Sequence, residues 1–349
     1  MSGLPVLWQV LRPLSTLLVL LHAVLGWLLV TAGAPPHPVH VVAAVGLIGT
    51  WYGHAAAVND LSDVETDRIN LVTDQQRSLR PLVNGSASVT RLWWVVAGLT
   101  LAQLGLAALI NGWLLVAAVV MVGLNLAYSL PPIRLSARGG LAQLALPLGY
   151  VGYPAAIGVA VASRGGVTVE PAAVLTLAGL AILFGGRLFL KDVRDETGDR
   201  TTGKRTFLVR HGTRATVQAC GAAVLAGLAT SAVGLTMWLD RGSPVLVITV
   251  IGVAITIPLA LRRVLVETVL DRQLLAIGLV GRIATTWLFC CLLLATARVA
   301  ALPVWQGELL AGLGLATFAL GCLRFAEELR RPATEGSDPA AVALTPHRG

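Results

Sequence analysis

Charged residues are scarce in this chain. Only 13% of its 349 residues are Asp, Glu, Lys or Arg, about half the roughly 25% that is usual for a soluble domain. Cysteine is rare as well, and none of the four cysteines has the paired spacing of a metal site. The shortage of charge excludes an ordinary soluble domain, and the cysteines are predicted to be buried apolar side chains.

The chain is instead rich in apolar sequence, with 56% hydrophobic residues and a mean hydropathy of +0.77. A helix needs roughly 20 apolar residues to cross a bilayer core of about 30 Å. Ten runs qualify, and we predict spans at 15–33, 39–58, 92–110, 113–130, 141–162, 171–189, 216–238, 244–261, 273–297 and 302–322. The predicted fold is all-α, a polytopic transmembrane bundle of nine or ten helices around a central cavity over residues 10–325. A disordered cytoplasmic tail is predicted over 326–349.

The net charge of +8 reflects membrane topology and does not predict a nucleic-acid partner. If all ten runs cross the membrane, 22 of the 26 Lys and Arg residues lie on one side. Three (Arg164, Arg241 and Arg298) lie on the other, and Arg282 falls inside a span. The positive-inside rule then predicts a multi-pass protein of the cell membrane with both termini in the cytoplasm.

Half of the acidic residues, nine of 18, fall in two short loops at 60–74 and 192–199, which this topology also places in the cytoplasm. The loops read NDLSDVETDR (59–68) and KDVRDETGDR (191–200), and the aspartate spacing repeats between them. The two trios are Asp60, Asp63 and Asp67, preceded by Asn59, and Asp192, Asp195 and Asp199, preceded by Lys191. On a continuous helix, positions i, i+3 and i+7 share one face. Each segment is therefore predicted to present three carboxylates together.

Three carboxylates on one face repel one another unless positive charge lies between them. Mg²⁺ takes oxygen ligands and commonly bridges carboxylates to substrate phosphates. Two facing trios predict Mg²⁺ ions around a diphosphate, whereas the simpler interpretation is a solvated acidic loop. Because acidic residues contribute little to topology and the spacing repeats, the metal interpretation is favoured.

The two motifs resemble those of the UbiA superfamily of intramembrane prenyltransferases. Further similarity lies in Arg12-Pro13, in RPLVNGSAS (80–88), in YSLPPIRL (128–135) and in GDRTTGKRTFLVRHG (198–212). The second motif is similar in style to chlorophyll-, tocopherol- and plastoquinone-type members. One departure is Ser136, which stands where the family commonly has Lys.

The resemblance implies a Mg²⁺-dependent prenyltransferase that moves an isoprenyl group from a prenyl diphosphate to an acceptor within the membrane. The implied acceptor is lipophilic or aromatic, a quinone-precursor ring for example. The implied metal ligands are Asn59 and the six catalytic aspartates Asp60, Asp63, Asp67, Asp192, Asp195 and Asp199. The residues expected to bind the diphosphate are Asn59, Lys191, Arg134, Tyr128, Ser129, Arg68, Arg80 and Lys204. Arg12 could contact the acceptor or the diphosphate, but the favoured interpretation is a positive-inside anchor.

Other functions remain open at this point. A membrane terpene cyclase would use the same aspartates, but the substrate's own alkene would capture the cation. A phosphoribosyl diphosphate could replace the aromatic acceptor. A divalent-cation transporter would require acidic residues near the bilayer midplane, whereas these aspartates are predicted at one membrane surface. Arg282, inside a span, is a candidate functional residue with a polar partner in the bundle. Its side chain could instead extend to the membrane surface if the span is shifted, so it is left out of the predicted site.

Overall fold

The structure is a computed structural model that describes residues 6–30, 36–71, 74–162 and 169–330. Ten of the described helical segments are long and apolar enough to cross a membrane. Each overlaps one of the ten predicted spans, so the predicted all-α bundle is confirmed. The boundaries differ mainly where a helix continues past its apolar run, as in the seventh span, Phe207–Leu239, whose first turns contain Arg210, His211 and Arg214.

The N-terminal half supplies five of these spans. Its helices are α1 (Val6–Leu11), α2 (Pro13–Val30), α3 (Pro38–Ser62), α4 (Val64–Asn70), α5 (Asp74–Arg77), α6 (Val89–Ile110), α7 (Gly112–Ser129), α8 (Leu141–Pro147) and α9 (Tyr153–Ala162). A π-helical stretch, Leu148–Gly152, joins α8 to α9 as one span. Side-chain caps begin several helices, since Ser88 accepts a hydrogen bond at the start of α6 and Asn111 does so at α7.

The C-terminal half supplies the other five spans. Its helices are α10 (Pro171–Leu188), α11 (Glu196–Thr201), α12 (Phe207–Leu239), α13 (Pro244–Val266), α14 (Leu270–Val299) and α15 (Val304–Arg330). The last helix continues through residues 326–330, and the remainder of the predicted tail lies outside the described residues. A 3₁₀ segment, Phe189–Val193, extends α10 into the second acidic motif.

Glycines allow the helices of the bundle to approach closely. A Cβ at Gly179 of α10 would collide with the backbone of Ser231 in α12, and one at Gly227 would collide with Leu183. Gly26 of α2 and Gly158 of α9 meet each other's helices in the same way. Small residues let backbones pack within van der Waals contact in a membrane, where burial of apolar surface contributes little to association.

The predicted continuous helical face through each acidic motif is wrong. Helix α3 ends at Ser62, and Asp63 (φ −108°, ψ 13°) separates it from α4. In the second motif Asp195 (φ −96°, ψ 3°) separates the 3₁₀ segment from α11. The chain therefore bends at the middle aspartate of both trios. At the first bend, Asp63 is held by basic side chains from other segments, contacts that helix periodicity does not include.

The loops that follow α3, α7 and α10 meet at one end of the bundle. Two short parallel strands, β1 (Arg138–Gly139) and β2 (Arg205–Thr206), join the loop after α7 to the segment before α12. Arg134, in the same loop, donates to the backbone oxygen of Ser62 at the end of α3. This end of the bundle carries all six aspartates of the two acidic motifs.

Candidate active site

The two acidic segments contact each other directly. Asn70 of α4 donates to the backbone oxygen of Asp195 (3.1 Å) and accepts from the backbone N–H of Gly198 (2.8 Å). The hydroxyls of Thr66 and Thr202 lie 3.2 Å apart. A Cβ at Gly198 would lie 2.6 Å from the Asn70 amide, so glycine is required for this approach. The structure thus brings together two motifs that are far apart in the chain.

Lys204 joins the aspartates of the two motifs. Its Nζ lies 3.2 Å from Asp63 Oδ2 and 3.6 Å from Asp199 Oδ1. The side chain is only 8% exposed, so this ammonium is largely desolvated. A buried cation is stable only when anions surround it, and here one comes from each acidic segment.

Three arginines pair with the aspartates of the first motif. Arg12 Nη2 lies 2.7 Å from Asp60 Oδ1, and Arg80 Nη1 lies 3.1 Å from the same oxygen. Arg134 Nη2 lies 3.1 Å from Asp63 Oδ1. The guanidinium of Arg12 lies in the acidic cluster, which favours the alternative of a contact at the site over that of a positive-inside anchor. Arg12 was not among the predicted site residues.

The second motif has its own basic partners. Lys191 Nζ lies 2.9 Å from Asp192 Oδ1, and Arg194 forms a two-pronged contact with Asp195, with Nε 2.8 Å from Oδ1. Arg194 was not among the predicted site residues. In total, six basic side chains pair with the six aspartates of the two motifs.

Several buried carboxylate oxygens accept no hydrogen bond from the described part of the chain. They are Asp60 Oδ2, Asp67 Oδ2 and both oxygens of Asp199, which is 1% exposed. Asp67 Oδ2 does lie 2.7 Å from Arg80 Nε, but the two are an ion pair without hydrogen-bond alignment. Buried acceptors left in this way carry a large desolvation cost, and oxygen is the ligand that a hard divalent cation prefers.

The aspartates fit a Mg²⁺ site by donor type and by these unpartnered oxygens. Within the described part of the chain, however, no three acidic, His or Cys side chains converge closely enough to form a metal site. Each carboxylate instead pairs with at least one basic side chain, and Arg80 and Lys204 each pair with two carboxylates. Mutual repulsion among the acids favours this arrangement. The residues therefore supply oxygen ligands of the type that Mg²⁺ prefers, although the carboxylates are paired with basic side chains. The carboxylate oxygens that accept no hydrogen bond from described residues belong to Asp60, Asp67 and Asp199.

The environment separates the proton affinities of these carboxyls. Burial raises the pKa of Asp63, but Lys204 and Arg134 outweigh it and hold the pKa below its ordinary value. Burial, together with the charges of Asp60 and Asp63, raises the pKa of Asp67 to about 7. Burial also raises the pKa of Asp199 to about 7, against the attraction of Lys204. The charge of Asp63 is thus the most firmly held of the three.

The remaining predicted residues vary in their placement. Asn59 is partly buried, and its backbone oxygen accepts from Ser62 and from the N–H of Asp63. Tyr128 is half-buried, while Ser129 is 1% exposed at the end of α7. Arg68 is exposed on α4. The buried hydroxyl of Ser136, at the departure from the family pattern, has no described hydrogen-bond partner.

Comparison with known proteins identifies the family. A family model described as the UbiA prenyltransferase family matches residues 19–276. Homogentisate phytyltransferase from Synechocystis sp. is 29% identical over 224 residues, covering 61% of this chain and 70% of that protein. Chlorophyll synthase from Oryza sativa subsp. japonica is 29% identical over 183 residues, covering 49% of this chain. The match spans only 45% of that relative's own length.

Solved structures support the same fold. A UbiA homologue from Aeropyrum pernix superposes with a TM-score of 0.62 at 19% identity, covering 80% of this chain and 98% of that one. A UbiA homologue from Archaeoglobus fulgidus, solved with DMAPP and Mg²⁺, gives a TM-score of 0.59 at 18% identity, covering 82% and 99%. Since the family model covers well over half of the sequence and the bundle matches these folds, the chain belongs to the UbiA prenyltransferase family.

Proposed function

We propose that the protein transfers an isoprenyl group from a prenyl diphosphate to a lipophilic or aromatic acceptor within the membrane, with Mg²⁺ as cofactor. The single observation that carries this proposal is the paired acidic cluster. Asp63 and Asp199, from opposite halves of the chain, share Lys204, and neighbouring buried carboxylate oxygens lack partners. Such a cluster suits a ligand that combines divalent cations with many anionic oxygens.

The residues assigned to Mg²⁺ in this proposal are Asn59, Asp60, Asp63, Asp67, Asp192, Asp195 and Asp199. When bound, Mg²⁺ neutralises the negative charge that develops on the diphosphate as the C–O bond to the allylic carbon breaks. Asp60 and Asp67 bring spare buried oxygens from the first motif, and Asp199 brings them from the second.

The basic and hydroxyl side chains around the aspartates have a separate task. We assign Arg80, Arg134, Lys191 and Lys204 to the diphosphate oxygens, because each already lies at the acidic cluster. Guanidinium and ammonium groups are the usual protein ligands of phosphate. Tyr128, Ser129 and Arg68 complete the proposed set, with Arg68 at the exposed rim. The apolar interior of the bundle excludes water, which would otherwise capture the allylic cation.

A transferase is favoured over a cyclase by the relatives. Homogentisate phytyltransferase and chlorophyll synthase are both matched, as is digeranylgeranylglyceryl phosphate synthase from Methanoculleus marisnigri, at 29% identity over 221 residues. The name homogentisate phytyltransferase describes transfer of a phytyl group to a second molecule. The name digeranylgeranylglyceryl phosphate synthase describes a product that joins geranylgeranyl groups to glyceryl phosphate. On this basis the proposed reaction ends on a second molecule.

The experiment is product analysis with purified protein in neutral detergent. Geranyl, farnesyl and geranylgeranyl diphosphates are each supplied with Mg²⁺, with and without a panel of aromatic and lipid acceptors, and products are identified by mass spectrometry. We expect a prenylated acceptor, loss of activity with EDTA and recovery with Mg²⁺. A cyclic hydrocarbon formed without acceptor would establish the cyclase instead. Turnover that persists in EDTA would refute the metal assignment.

A further inference from the structure

An open cavity of about 820 Å³ lies between α2, α10, α14 and α15 and is lined by three basic side chains. They are Arg187 and Lys191 of the α10 span and Arg282 of α14. The other walls are apolar or small residues of α2, α14 and α15, such as Leu18 and Phe318. No acidic side chain is among the described residues that line it. The volume is that of a small-molecule site, since ligand pockets typically measure about 300–1,000 Å³.

This cavity continues toward the acidic cluster. A second cavity of about 150 Å³ shares Leu18, Arg187 and Thr285 with it and is lined further in by Tyr52 and Tyr150. The rings of these two tyrosines pack edge to face, with their centroids 5.7 Å apart. At its other edge the larger cavity contains Lys191, which pairs with Asp192. A molecule in the cavity therefore lies beside the proposed donor site.

Arg187 is the most distinctive residue of this cavity. It lies one helical turn before Lys191, deeper in the span, and its guanidinium sits 5.0 Å from the ring centroid of Phe184. A Cβ at Gly281 of α14 would lie 3.2 Å from Arg187 Nη1, so glycine makes room for the guanidinium. No described carboxylate forms an ion pair with it. An arginine within a membrane span is costly and is typically retained for a polar ligand or partner.

We propose that this cavity binds the acceptor, that the acceptor carries a carboxylate or phosphate group, and that Arg187 and Arg282 are the residues that select for this anion. The inference rests on the proposed function, which it extends by naming the acceptor's chemical class and the residues that bind it. Guanidinium groups bind both anions through paired hydrogen bonds. The apolar wall formed with Leu18 and Phe318 accommodates the lipophilic or aromatic body of the same molecule.

The residues that line the cavity differ from those of the acidic cluster in where they lie relative to the family match. Most of its lining residues belong to α14 and α15, and those lie beyond residue 276, where the family match ends. Arg282 and Phe318 are in this unmatched part. The six aspartates of the donor cluster lie within the match. The C-terminal helices thus form much of the wall of a specificity pocket beside that cluster.

The test measures binding and turnover in wild type and in Arg187→Gln, Arg187→Lys and Arg282→Gln. Arg262→Gln is the matched control, because Arg262 lines a different cavity, between α13 and α15. The probes are two pairs that differ in one anionic group: a dihydroxybenzoate with its dihydroxybenzene, and a long-chain alkyl phosphate with its alcohol. Binding is followed as the thermal shift in neutral detergent, and KM is measured for donor and acceptor separately.

We expect an anionic probe to stabilise the wild type and the Arg262→Gln control, and its neutral counterpart to do so much less. Arg187→Gln and Arg282→Gln should each weaken anion binding, and raise the KM of an anionic acceptor, by about 10- to 100-fold, the usual effect of losing a charge-assisted hydrogen bond. Arg187→Lys should restore part of the loss. The donor KM should stay within about twofold, because the altered groups do not contact the donor cluster.

A steric pair of variants tests the cavity without changing charge. A Cβ at Gly321 of α15 meets nothing within 4 Å, and the same is true of Gly252 in α13. Gly321 lines the proposed acceptor cavity, whereas Gly252 lines the other one. Gly321→Leu should therefore weaken acceptor binding while Gly252→Leu leaves it unchanged.

Several results would overturn the inference. One is equal binding of neutral and anionic probes, or no binding of either anionic probe to the wild type. Another is anion binding that is unchanged in Arg187→Gln. A third is a rise in the donor KM as large as the rise in the acceptor KM. Phosphatidylglycerol that displaces the anionic probe at equal concentration would identify a lipid site instead. If no prenyl diphosphate releases its diphosphate in the turnover assay, the proposed function itself is refuted. The binding measurements do not depend on turnover, so the two failures can be distinguished.

Discussion

Lys204 is the residue on which the two halves of the acidic cluster depend. Its ammonium is desolvated and touches Asp63 and Asp199, and these anions raise the pKa of Lys204 above its ordinary value despite burial. Asp63 also contacts Arg134, whereas neither oxygen of Asp199 accepts a hydrogen bond from the described residues. Removing the cation therefore leaves Asp199 as a buried negative charge and takes one of two cations from Asp63.

We predict that Lys204→Met destabilises the protein by ~3 kcal/mol, as is usual when one partner of a buried ion pair is removed. Donor KM should rise in the same variant. Thermal unfolding in detergent and steady-state kinetics check the two effects. The control is Arg200→Met, which removes an exposed pair with Glu196 and should cost less than ~1 kcal/mol. Equal stability of the two variants would contradict the bridging role.

Asp63 should be the most sensitive of the aspartates to neutralisation. It lies at the bend of the first motif and contacts two cations, Arg134 and Lys204. We predict that Asp63→Asn lowers kcat at least about 100-fold, a typical effect of losing one preorganised charge contact. Asp240→Asn is the control: Asp240 is exposed, at φ 53°, a conformation that Asn also adopts. Undiminished turnover in Asp63→Asn would contradict the proposed function.

Residue spacing predicted the aspartates but not all of their partners. The two trios each lie within one short segment, so their repeat is visible in the sequence. Arg12 meets Asp60 across 48 positions of the chain, and a single arginine near a span looks the same whether it faces lipid headgroups or an active site. Arg187 was likewise indistinguishable from other charges beside the second motif. An arginine at a membrane surface and an arginine at the site can be distinguished only in the folded bundle.

At the scale of elements, helix periodicity failed where the chain bends. The expectation of one face per trio assumed unbroken helices, whereas both motifs change direction at the middle aspartate. Asn70 supports the bend in the second motif, because it satisfies the backbone oxygen of Asp195 and the N–H of Gly198. Such contacts between separate segments have no periodic signal, so they could not be predicted.

The packing of α10 against α12 depends on glycine. Cβ atoms at Gly179 and Gly227 would collide with the opposite backbone, and α10 leads directly into the second acidic motif. We predict that Gly179→Leu forces these helices apart and destabilises the protein by at least about 3 kcal/mol, because backbone cannot yield as a side chain can. Activity should fall with stability.

The matched control is Gly105→Leu, since a Cβ at Gly105 meets nothing within 4 Å. This variant should retain full stability, because leucine favours helix over glycine. Thermal unfolding and size-exclusion chromatography in detergent check both variants. A stable, active Gly179→Leu protein would show that α10 and α12 do not need this close contact.

At the scale of the whole molecule, the number and order of helices were predictable and the assembly was not. Apolar runs of sufficient length identify spans because the bilayer imposes a minimum length, and all ten were confirmed. The cavity lined by α10, α14 and α15 could not be predicted from the sequence, because Arg187 and Phe318 belong to spans that are far apart in the chain. For the same reason, the sequence did not predict the acceptor-binding role that we propose for the C-terminal helices.

The orientation of the bundle follows from its basic residues, and we propose that both termini and the acidic cluster face the cytoplasm. The test is cysteine labelling in a variant whose four native cysteines are replaced by alanine. Thr201, at the acidic end, and Glu170, before α10, are both exposed. A membrane-impermeant maleimide added to intact cells should label Glu170→Cys, and label Thr201→Cys only after the membrane is permeabilised. The reverse pattern would place the active site on the outer face and refute the cytoplasmic assignment.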